Sequence, residues 1–387
     1  MLDYFLSDEQ KIIVEVADRI GREYIAPYAH RWDEEEICDP RPLRALAKAD
    51  LFGLFIPEEY GGLGFGTFEN CLAIETLSKY CAGVATTFAA SGLGAYPILI
   101  AGSKEQKAKY LPQVAAGKKL CAFALTEPQA GSDAAAIRTT AQKDGDYYVL
   151  NGIKQWITNG GVADIYIVIA LTDPKKGARG ASAFIVEKGD RGFAIGKKEK
   201  KMGLRASTTT ELFFSNCRIP KERLLGREGM GFIIAMKTLD LSRPGVGAQA
   251  VGLAQGAMEL AFHHARKRVQ FGQPVYQFQA VSHTFAEMAM RIEAARALVY
   301  SVARYIDSGA KSISGASAMA KCFASDVAMW VTERAVQMMG GFGYMRDFLA
   351  EKMMRDAKCL QIYEGTNEIQ RNVISRELPK FYKEERA

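Results

Sequence analysis

The sequence predicts an α+β multidomain protein with an N-terminal helical domain, a middle β-barrel-like domain and a C-terminal four-helix bundle. Residues at helical spacing fill the first third of the chain, whereas short runs rich in β-branched and aromatic residues begin at Leu120. Helical periodicity returns after Gly231. We therefore expect domains at 1–120, 121–230 and 231–387, packed as one body because no Pro-rich or low-complexity linker separates them.

The first helix is predicted from an apolar stripe that includes Ile13, Ile20 and Tyr24. Ser7 precedes this stripe, and its hydroxyl is suited to capping the first turn of a helix. The N-terminal helical segments are expected to end near Lys119.

The run Cys81–Ser103 carries no charge, and its length alone would permit a membrane span. Its four interruptions favour a buried helix followed by a turn: Gly83, Gly92, Gly94 and Pro97. Such a stretch would also suit the wall of an apolar cavity, so no membrane span is predicted.

The middle section is predicted to be a compact β domain from four short runs: Tyr147–Leu150, Ile165–Leu171, Ala183–Val186 and Leu212–Phe214. Asn151-Gly152 follows the first run and predicts a hairpin turn, because both residues tolerate positive φ. In the last section an apolar stripe from Val281 to Ile306 predicts one long helix of a bundle.

Composition excludes several classes of protein. With 387 residues, 48% hydrophobic and 24% charged, the chain is neither disordered nor fibrous, and its net charge of +6 is too small for a nucleic-acid footprint. The seven cysteines form no CxxC pair, and neither HExxH nor GxSxG occurs, so no metal site, disulfide framework or serine hydrolase is predicted.

The first residues predict where the protein works. They carry acids where a signal or transit peptide would carry Arg or Lys, and the scattered cysteines fit a reducing compartment. We expect a protein that stays in the cytoplasm, where it is made, and a mitochondrial matrix protein only if this sequence is a processed form.

Five segments with chemically informative residues follow in order: Leu125–Asp133, Trp156–Gly160, Arg268–Gly272, Gln337–Gly341 and Ile362–Gln370. Through these segments the chain resembles the acyl-CoA dehydrogenase family, and most of all its short-chain, butyryl-CoA dehydrogenase-like bacterial members. Any one segment would be weak, but five in this order over nearly the whole chain are specific. The resemblance implies the acyl-CoA dehydrogenase fold, an FAD cofactor and an acyl-CoA substrate.

The resemblance implies that residues of two subunits hold each FAD. Trp156 would pack against the isoalloxazine with Thr158 near its reactive nitrogen, while Arg268, Phe271 and Gln279 would reach the FAD of a neighbouring subunit. The implied FAD contacts are Phe123, Leu125, Thr126, Gly131, Ser132, Trp156, Ile157, Thr158, Arg268, Phe271, Gln279, Gln337, Gly341, Thr366 and Glu368. By residue type alone, the small and hydroxyl residues favour ordinary turns and Arg268 favours a surface ion pair.

Glu364 is the expected catalytic base. By residue type alone, a glutamate before a glycine is an exposed helix end. The resemblance instead puts this carboxylate opposite the flavin, across the α and β carbons of the thioester. A desolvated carboxylate can remove the α proton while hydrogen bonds stabilise the developing enolate oxygen. In the family those donors are the backbone N–H of the base and a ribityl hydroxyl of FAD, and the product is a trans-2-enoyl-CoA.

The resemblance also implies a set of substrate contacts: Ser132, Asp240, Arg243, Tyr363, Gly365 and Arg376. Some family members carry the base on another helix, at the position of Ser242, which cannot act as a carboxylate base. This difference argues against the isovaleryl and long-chain subgroups. Leu349 stands where relatives commonly have proline, which affects the expected loop path rather than the chemistry.

Three functional hypotheses remain open. The first is a homotetrameric dehydrogenase, a dimer of dimers, that passes electrons to an electron-transfer flavoprotein. The second is an acyl-CoA oxidase using oxygen, although such chains are usually much longer, and the third is a non-catalytic acyl-CoA-binding homologue. Because Cys81–Ser103 offers no cation to a dicarboxylate, we expect a neutral acyl group that is straight and short, branched or alicyclic.

Overall fold

The computed structural model describes residues 4–382. Its first segment is helical up to residue 115. The helices are α1 (Asp8–Ile20), α2 (Ala29–Glu34), α3 (Pro40–Lys48), α4 (Thr67–Ser78), α5 (Ala82–Ala101) and α6 (Lys104–Ala115). This part of the fold confirms the predicted N-terminal helical region.

The first helix begins where its cap predicts but ends early. Ser7 accepts a hydrogen bond from the backbone N–H of Gln10, and Ile20 is buried. Tyr24, however, is 44% exposed. The segment Gly21–Ile25 is π-helical, and its wider turn rotates Tyr24 off the buried stripe.

Helix α5 continues through all the residues expected to interrupt it. Gly94 allows the first strand of the sheet to approach closely, since a Cβ there would lie 2.5 Å from the Cβ of Cys121. Pro97 lies inside the helix, which ends at Ala101. Among the described residues α5 alone is long and apolar enough to cross a bilayer, and 67% of its most apolar window is buried inside the protein.

The middle segment forms an eight-stranded sheet. Its strands are β1 (Cys121–Ala124), β2 (Thr140–Asp144), β3 (Tyr147–Thr158), β4 (Ile165–Leu171), β5 (Ala181–Glu187), β6 (Phe193–Lys198), β7 (Thr209–Pro220) and β8 (Leu224–Leu225). The order is β6-β7-β3-β2-β4-β5-β8, with β1 parallel to β4. One register pair, Thr140 with Leu171, joins β2 to β4, so the sheet has two halves.

The predicted hairpin at Asn151-Gly152 is wrong. Strand β3 runs through both residues, and its register against β7 shifts between Leu150 and Gly152. The turn between β2 and β3 lies at Gly145–Asp146, where Gly145 has a φ of 59°. A Cβ on Gly152 would lie 2.5 Å from Oγ1 of Thr139, so this glycine marks a bulge rather than a turn.

The last segment is helical again. It comprises α7 (Gly231–Lys267), the short strands β9 (Val269–Gln270) and β10 (Gln273–Pro274), α8 (Gln279–Asp307), α9 (Ser314–Met339), α10 (Gly341–Tyr344), α11 (Leu349–Leu360) and α12 (Asn367–Phe381). The stripe predicted on α8 is buried at Phe285, Met288 and Ile292. The predicted order of helical, β and helical segments is therefore confirmed.

The largest hydrophobic cluster crosses the segment boundaries. It joins side chains of α1, α4 and α5 to those of α7, α8, α9 and α11. A second cluster packs α5, α6 and the start of α7 against β4 and β5. Because α5 and α7 belong to both clusters, these two helices fix the position of the sheet relative to the helical bundle.

Candidate active site

One large cavity of about 930 Å³ in the described part of the chain lies where the three segments meet. Its walls come from α4, α5 and α7, from the ends of β1 and β3, and from the loop that joins α11 to α12. A cavity of this size is in the range of sites for small molecules and cofactors.

Most of the residues predicted from the sequence line this single cavity. They are Phe123, Leu125, Thr126, Gly131, Ser132, Trp156, Ile157, Thr158, Arg243, Tyr363, Glu364, Gly365, Thr366 and Arg376. The set spans more than two hundred positions of the chain, from Phe123 to Arg376, so the fold brings its distant members together.

A second group of the predicted residues lies elsewhere. Arg268 is the C-cap residue of α7, and the central carbon of its guanidinium lies 5.5 Å from the ring centre of Phe342. It forms no ion pair with the residues that the structure describes. Phe271 is 94% exposed at the turn between β9 and β10, and Gln279 begins α8 nearby. Gln337 and Gly341 lie at the junction of α9 and α10, the same junction that carries Phe342.

Asp240 and Glu368 are the two remaining predicted residues, and neither lines the cavity. Asp240 accepts a hydrogen bond from Arg243 at 2.9 Å and another from the hydroxyl of Ser314. Glu368 lies exposed in the first turn of α12, where backbone and Thr366 hydrogen bonds lower its pKa.

Trp156 is presented to the cavity by an irregularity in β3. The register between β3 and β7 shifts between Lys154 and Ile157, and Trp156 has a φ of 56°. A non-glycine residue in this conformation is strained, and such strain is concentrated at binding and active sites. The bulge leaves the indole 54% exposed beside Thr158 in the cavity wall.

A buried ion pair fixes the loop that follows β1. The ammonium of Lys154 lies 2.7 Å from Glu127 and donates to the carbonyl of Leu125 at 2.9 Å. Glu127 also accepts from the backbone N–H groups of Arg138 and Thr139, so one carboxylate holds both ends of the loop. Burial lowers the pKa of Lys154 to about 8, while Glu127 opposes that shift.

The cavity wall fits the FAD that the sequence predicts. The hydroxyls of Thr126, Ser132 and Thr158 form no hydrogen bond within residues 4–382, so they are available to a ligand. Gly131 has open space where a Cβ would lie, which allows close approach of a ring or phosphate. Together with the exposed face of Trp156, these groups offer stacking and hydrogen bonding to a flat heterocycle.

Glu364 lies in the loop between α11 and α12, in a strained turn. Its φ is 54°, and Gly365 beside it has a φ of 95°. The hydroxyl of Ser242 on α7 donates to Oε2 of Glu364 at 2.6 Å. The backbone N–H of Glu364 donates to no described residue, so this N–H and the second carboxylate oxygen, Oε1, are free to face a ligand in the cavity.

Burial raises the pKa of Glu364 above its ordinary value of 4.5. The hydrogen bond from Ser242, then the charge of Arg243 and then that of Lys321 oppose this shift. The result is a carboxylate that binds a proton more readily than an exposed glutamate but keeps three stabilising neighbours. Such a group is suited to general-base catalysis near neutral pH.

A buried polar network supports the turn from below. Lys321 on α9 donates to the carbonyl of Gly365 at 2.9 Å and to Oδ1 of Asn367 at 2.8 Å. Gln370 donates to the carbonyls of Glu364 and Gly365 at 3.0 and 2.9 Å. Since these carbonyls belong to the strained residues, the network holds the turn in its left-handed conformation.

The wall contributed by α4 and α5 is uncharged. Its residues are Asn70, Ile74, Thr86, Ala89, Ala90, Leu93 and Tyr96. Facing it on α7, Gln249 donates to Thr86 at 2.7 Å and accepts a hydrogen bond from Tyr363. Arg243 is the one charged α7 residue in the wall, and it is paired with Asp240.

Four buried polar residues in or behind the cavity wall were not predicted from the sequence. Lys154, Glu127, Lys321 and Gln249 are all buried, but they are distant in sequence from their partners. A lysine such as Lys321, within an Ala-rich helical stripe, is a signal that could have been noticed, because an apolar helix face rarely carries one.

Comparisons with known proteins agree with this geometry. Family models for the N-terminal, middle and C-terminal domains of acyl-CoA dehydrogenase match residues 7–118, 122–217 and 229–378. The acyl-CoA dehydrogenase of Bacillus subtilis (strain 168) is 48% identical over 374 residues, covering 96% of this chain and 98% of the relative.

Two solved structures have the same fold throughout. Butyryl-CoA dehydrogenase from Megasphaera elsdenii superposes with a TM-score of 0.95 at 46% identity, covering 97% of this chain and 100% of that one. A chain from a structure of the electron transferring flavoprotein of Acidaminococcus fermentans gives a TM-score of 0.95 at 49% identity, with coverage of 97% and 99%. The protein therefore belongs to the acyl-CoA dehydrogenase family and is an FAD-dependent oxidoreductase.

Proposed function

We propose that the protein dehydrogenates a neutral acyl-CoA thioester between its α and β carbons, with Glu364 as the catalytic base. The observation that carries this proposal is the desolvated carboxylate of Glu364 in the cavity wall, held by Ser242 and adjacent to its own free backbone N–H. FAD, when bound, supplies the acceptor for the β hydride.

The residues around the cavity divide the remaining work. The thioester oxygen acquires negative charge as the α proton leaves, and the N–H of Glu364 is available to stabilise it. Trp156 and the hydroxyls of Thr126 and Thr158 orient the flavin ring, while Tyr363 and the α5 wall exclude water from the acyl group. Asp240 acts by orienting Arg243 rather than by touching the substrate.

The remaining parts of the proposal concern acceptor and location. The electrons pass to an electron-transfer flavoprotein, supported by the similarity to a chain from such a structure in Acidaminococcus fermentans. All seven cysteines are free, which fits a reducing compartment, and we assign the protein to the cytoplasm.

Glu364→Gln should abolish chemistry and leave the cofactor site intact. Flavin reduction by butyryl-CoA under anaerobic conditions should fall by about a thousandfold or more, because an amide cannot accept the α proton. Bound flavin absorbance should stay at its wild-type level. Glu105→Gln, an exposed change in the first turn of α6, is the matched control and should retain full activity.

Four outcomes would reject this assignment. A purified protein that binds no FAD would exclude the dehydrogenase, as would full turnover by Glu364→Gln. Hydrogen peroxide formed stoichiometrically with product would identify an oxidase, and a flavin that no acyl-CoA reduces would identify a non-catalytic binding protein.

Glu364→Gln should also be more stable than the wild type at any pH at which the wild-type Glu364 is ionised. Because the folded-state pKa is raised, ionised Glu364 destabilises the fold, and glutamine removes this cost. The unfolding temperature should therefore rise by up to a few degrees at neutral and alkaline pH, and the gain should disappear below pH 4.5, the ordinary glutamate pKa. Thermal scans across this range measure it, and Glu105→Gln, whose carboxyl pKa is lowered, should show no gain.

The cavity wall predicts the class of substrate. A panel of straight, branched, alicyclic and dicarboxylic acyl-CoAs should show flavin reduction with neutral groups and little with glutaryl-CoA, since Arg243 is already paired with Asp240. Ala90→Val narrows the α5 wall and should lower kcat/KM for branched and alicyclic substrates more than for butyryl-CoA. Preferential use of glutaryl-CoA would refute the prediction.

The residues outside the cavity predict the assembly. We propose a homotetramer, a dimer of dimers, in which Arg268, Phe271 and Gln279 of one subunit contact the FAD of its neighbour. Phe271 is 94% exposed, and burying this side chain against a partner would stabilise the assembly. Phe271→Asp should lower both the mass measured by light scattering and the FAD content, whereas Ile12→Asp, on exposed α1, should change neither. An unchanged mass and FAD content in Phe271→Asp would contradict this assembly.

A further inference from the structure

Three lysines are buried in the described chain, and one of them differs from the others. Lys154 pairs with Glu127 at 2.7 Å and Lys352 pairs with Asp356 at 2.5 Å. Lys321 is 0% exposed, yet it forms no ion pair with any described carboxylate. A buried ammonium without a carboxylate partner is costly, so a compensating interaction must retain it.

The hydrogen bonds of Lys321 lead to the turn that carries Glu364. Its two acceptors are the carbonyl of Gly365 and the side-chain oxygen of Asn367. Asn367 is held in turn by Ser325 at 2.9 Å and Asp326 at 2.7 Å. Helix α9 therefore forms hydrogen bonds to the residues that follow Glu364 in the turn, while Ser242 of α7 donates to the Glu364 carboxylate itself.

Charge connects the same two residues. Burial lowers the pKa of Lys321 to about 8, and the negative charge of Glu364 is the strongest opposing influence. Conversely, the ammonium of Lys321 is one of the two positive charges that lower the pKa of Glu364, the other being Arg243. Arg243 is partly neutralised by Asp240, but Lys321 has no such partner.

We propose that Lys321 is a positioning residue for the dehydrogenation, which holds the Glu364-Gly365 turn in its left-handed conformation and supplies the positive charge that keeps Glu364 ionised as a base. This inference rests on the proposed role of Glu364. Lys321 reaches the turn through the Gly365 carbonyl and does not line the cavity.

Titratable groups on several elements face this pair. Around Glu364 they are Tyr96 of α5, Arg243 of α7, Lys321 of α9 and the adjacent Tyr363, with Asp240 paired to Arg243. Around Lys321 they are Arg243, Cys322, Cys359 and Glu364. Burial raises the pKa of Cys322 and of Cys359, to about 11 for the latter, so both thiols are neutral at neutral pH.

The test compares Lys321→Met, which removes a positive charge, with Gln370→Leu, which removes only uncharged hydrogen-bond donors to the same turn. Flavin reduction of the FAD-loaded protein by butyryl-CoA is followed by stopped flow across the pH range. Lys321→Met should raise the apparent pKa of the rate by about one unit, so that its loss of rate is about tenfold greater on the acid side than at alkaline pH, where only the loss from the missing hydrogen bond to Gly365 remains. Gln370→Leu removes only neutral hydrogen bonds to Glu364 and Gly365, and should lower the rate by one factor at every pH.

A second measurement does not depend on activity. In a thermal-unfolding cycle at neutral pH, Lys321→Met should lower the unfolding temperature more with Glu364 present than in a Glu364→Gln background, because only the former contains a buried carboxylate that loses one of its two positive neighbours. Equal losses in the two backgrounds would overturn the proposal. So would an unshifted pKa in Lys321→Met, or an equal shift in Gln370→Leu.

Further measurements distinguish a failure of this inference from a misfolded variant and from a failure of the proposed function. Should Lys321→Met not retain FAD, Lys321→Gln keeps a donor for Gly365 and is measured in the same way; an unshifted pKa there would overturn the charge role. If wild-type flavin is not reduced by any acyl-CoA, the proposed function fails. If wild type reacts and both Lys321 variants keep its pH profile, only this inference fails.

Discussion

The constraint on which the site depends is a carboxylate that must stay reactive without water. Burial raises the pKa of Glu364 and so favours its neutral form, but the proton abstraction that we propose for it needs the ionised form. The fold resolves this conflict with one hydroxyl hydrogen bond from Ser242 and two positive charges from different helices. The left-handed turn at Glu364 and Gly365 then sets the direction of the carboxylate. The hydrogen bond and the two charges therefore reach Glu364 only if α7, α9 and the α11–α12 loop keep their relative positions.

The other side of the cavity applies the same physics to the cofactor wall. The Lys154–Glu127 pair contributes little net stability by itself, since burying two charges costs about as much as their attraction returns. Its value lies in geometry. The Glu127 carboxylate accepts hydrogen bonds from the ammonium of Lys154 and from two backbone N–H groups. These bonds fix the loop after β1 against the bulged strand that carries Trp156. Each wall is thus supported by a buried lysine that does not line the cavity, Lys154 on one side and Lys321 on the other.

The helical core links the two walls. Helices α5 and α7 pack in the cluster shared by the N-terminal and C-terminal helices and also in the cluster that covers the sheet. Each also contributes to the cavity lining, α5 through its uncharged face and α7 through Ser242, Arg243 and Gln249. A change in the packing of either helix would therefore move the uncharged α5 wall and the partners of Glu364 together.

The sequence by itself determined the order of helical and β segments, the buried character of Cys81–Ser103 and a set of predicted site residues most of which line the cavity, because periodicity and family-like motifs are local signals. It failed where three-dimensional neighbours decide conformation. Gly152 became a bulge because Thr139 lies against it, and Tyr24 left its stripe because the chain turns π-helical. Only the tertiary structure could place Lys321 beneath Gly365, since the interaction of two buried groups 44 positions apart depends on how helices pack, and no local pattern records that.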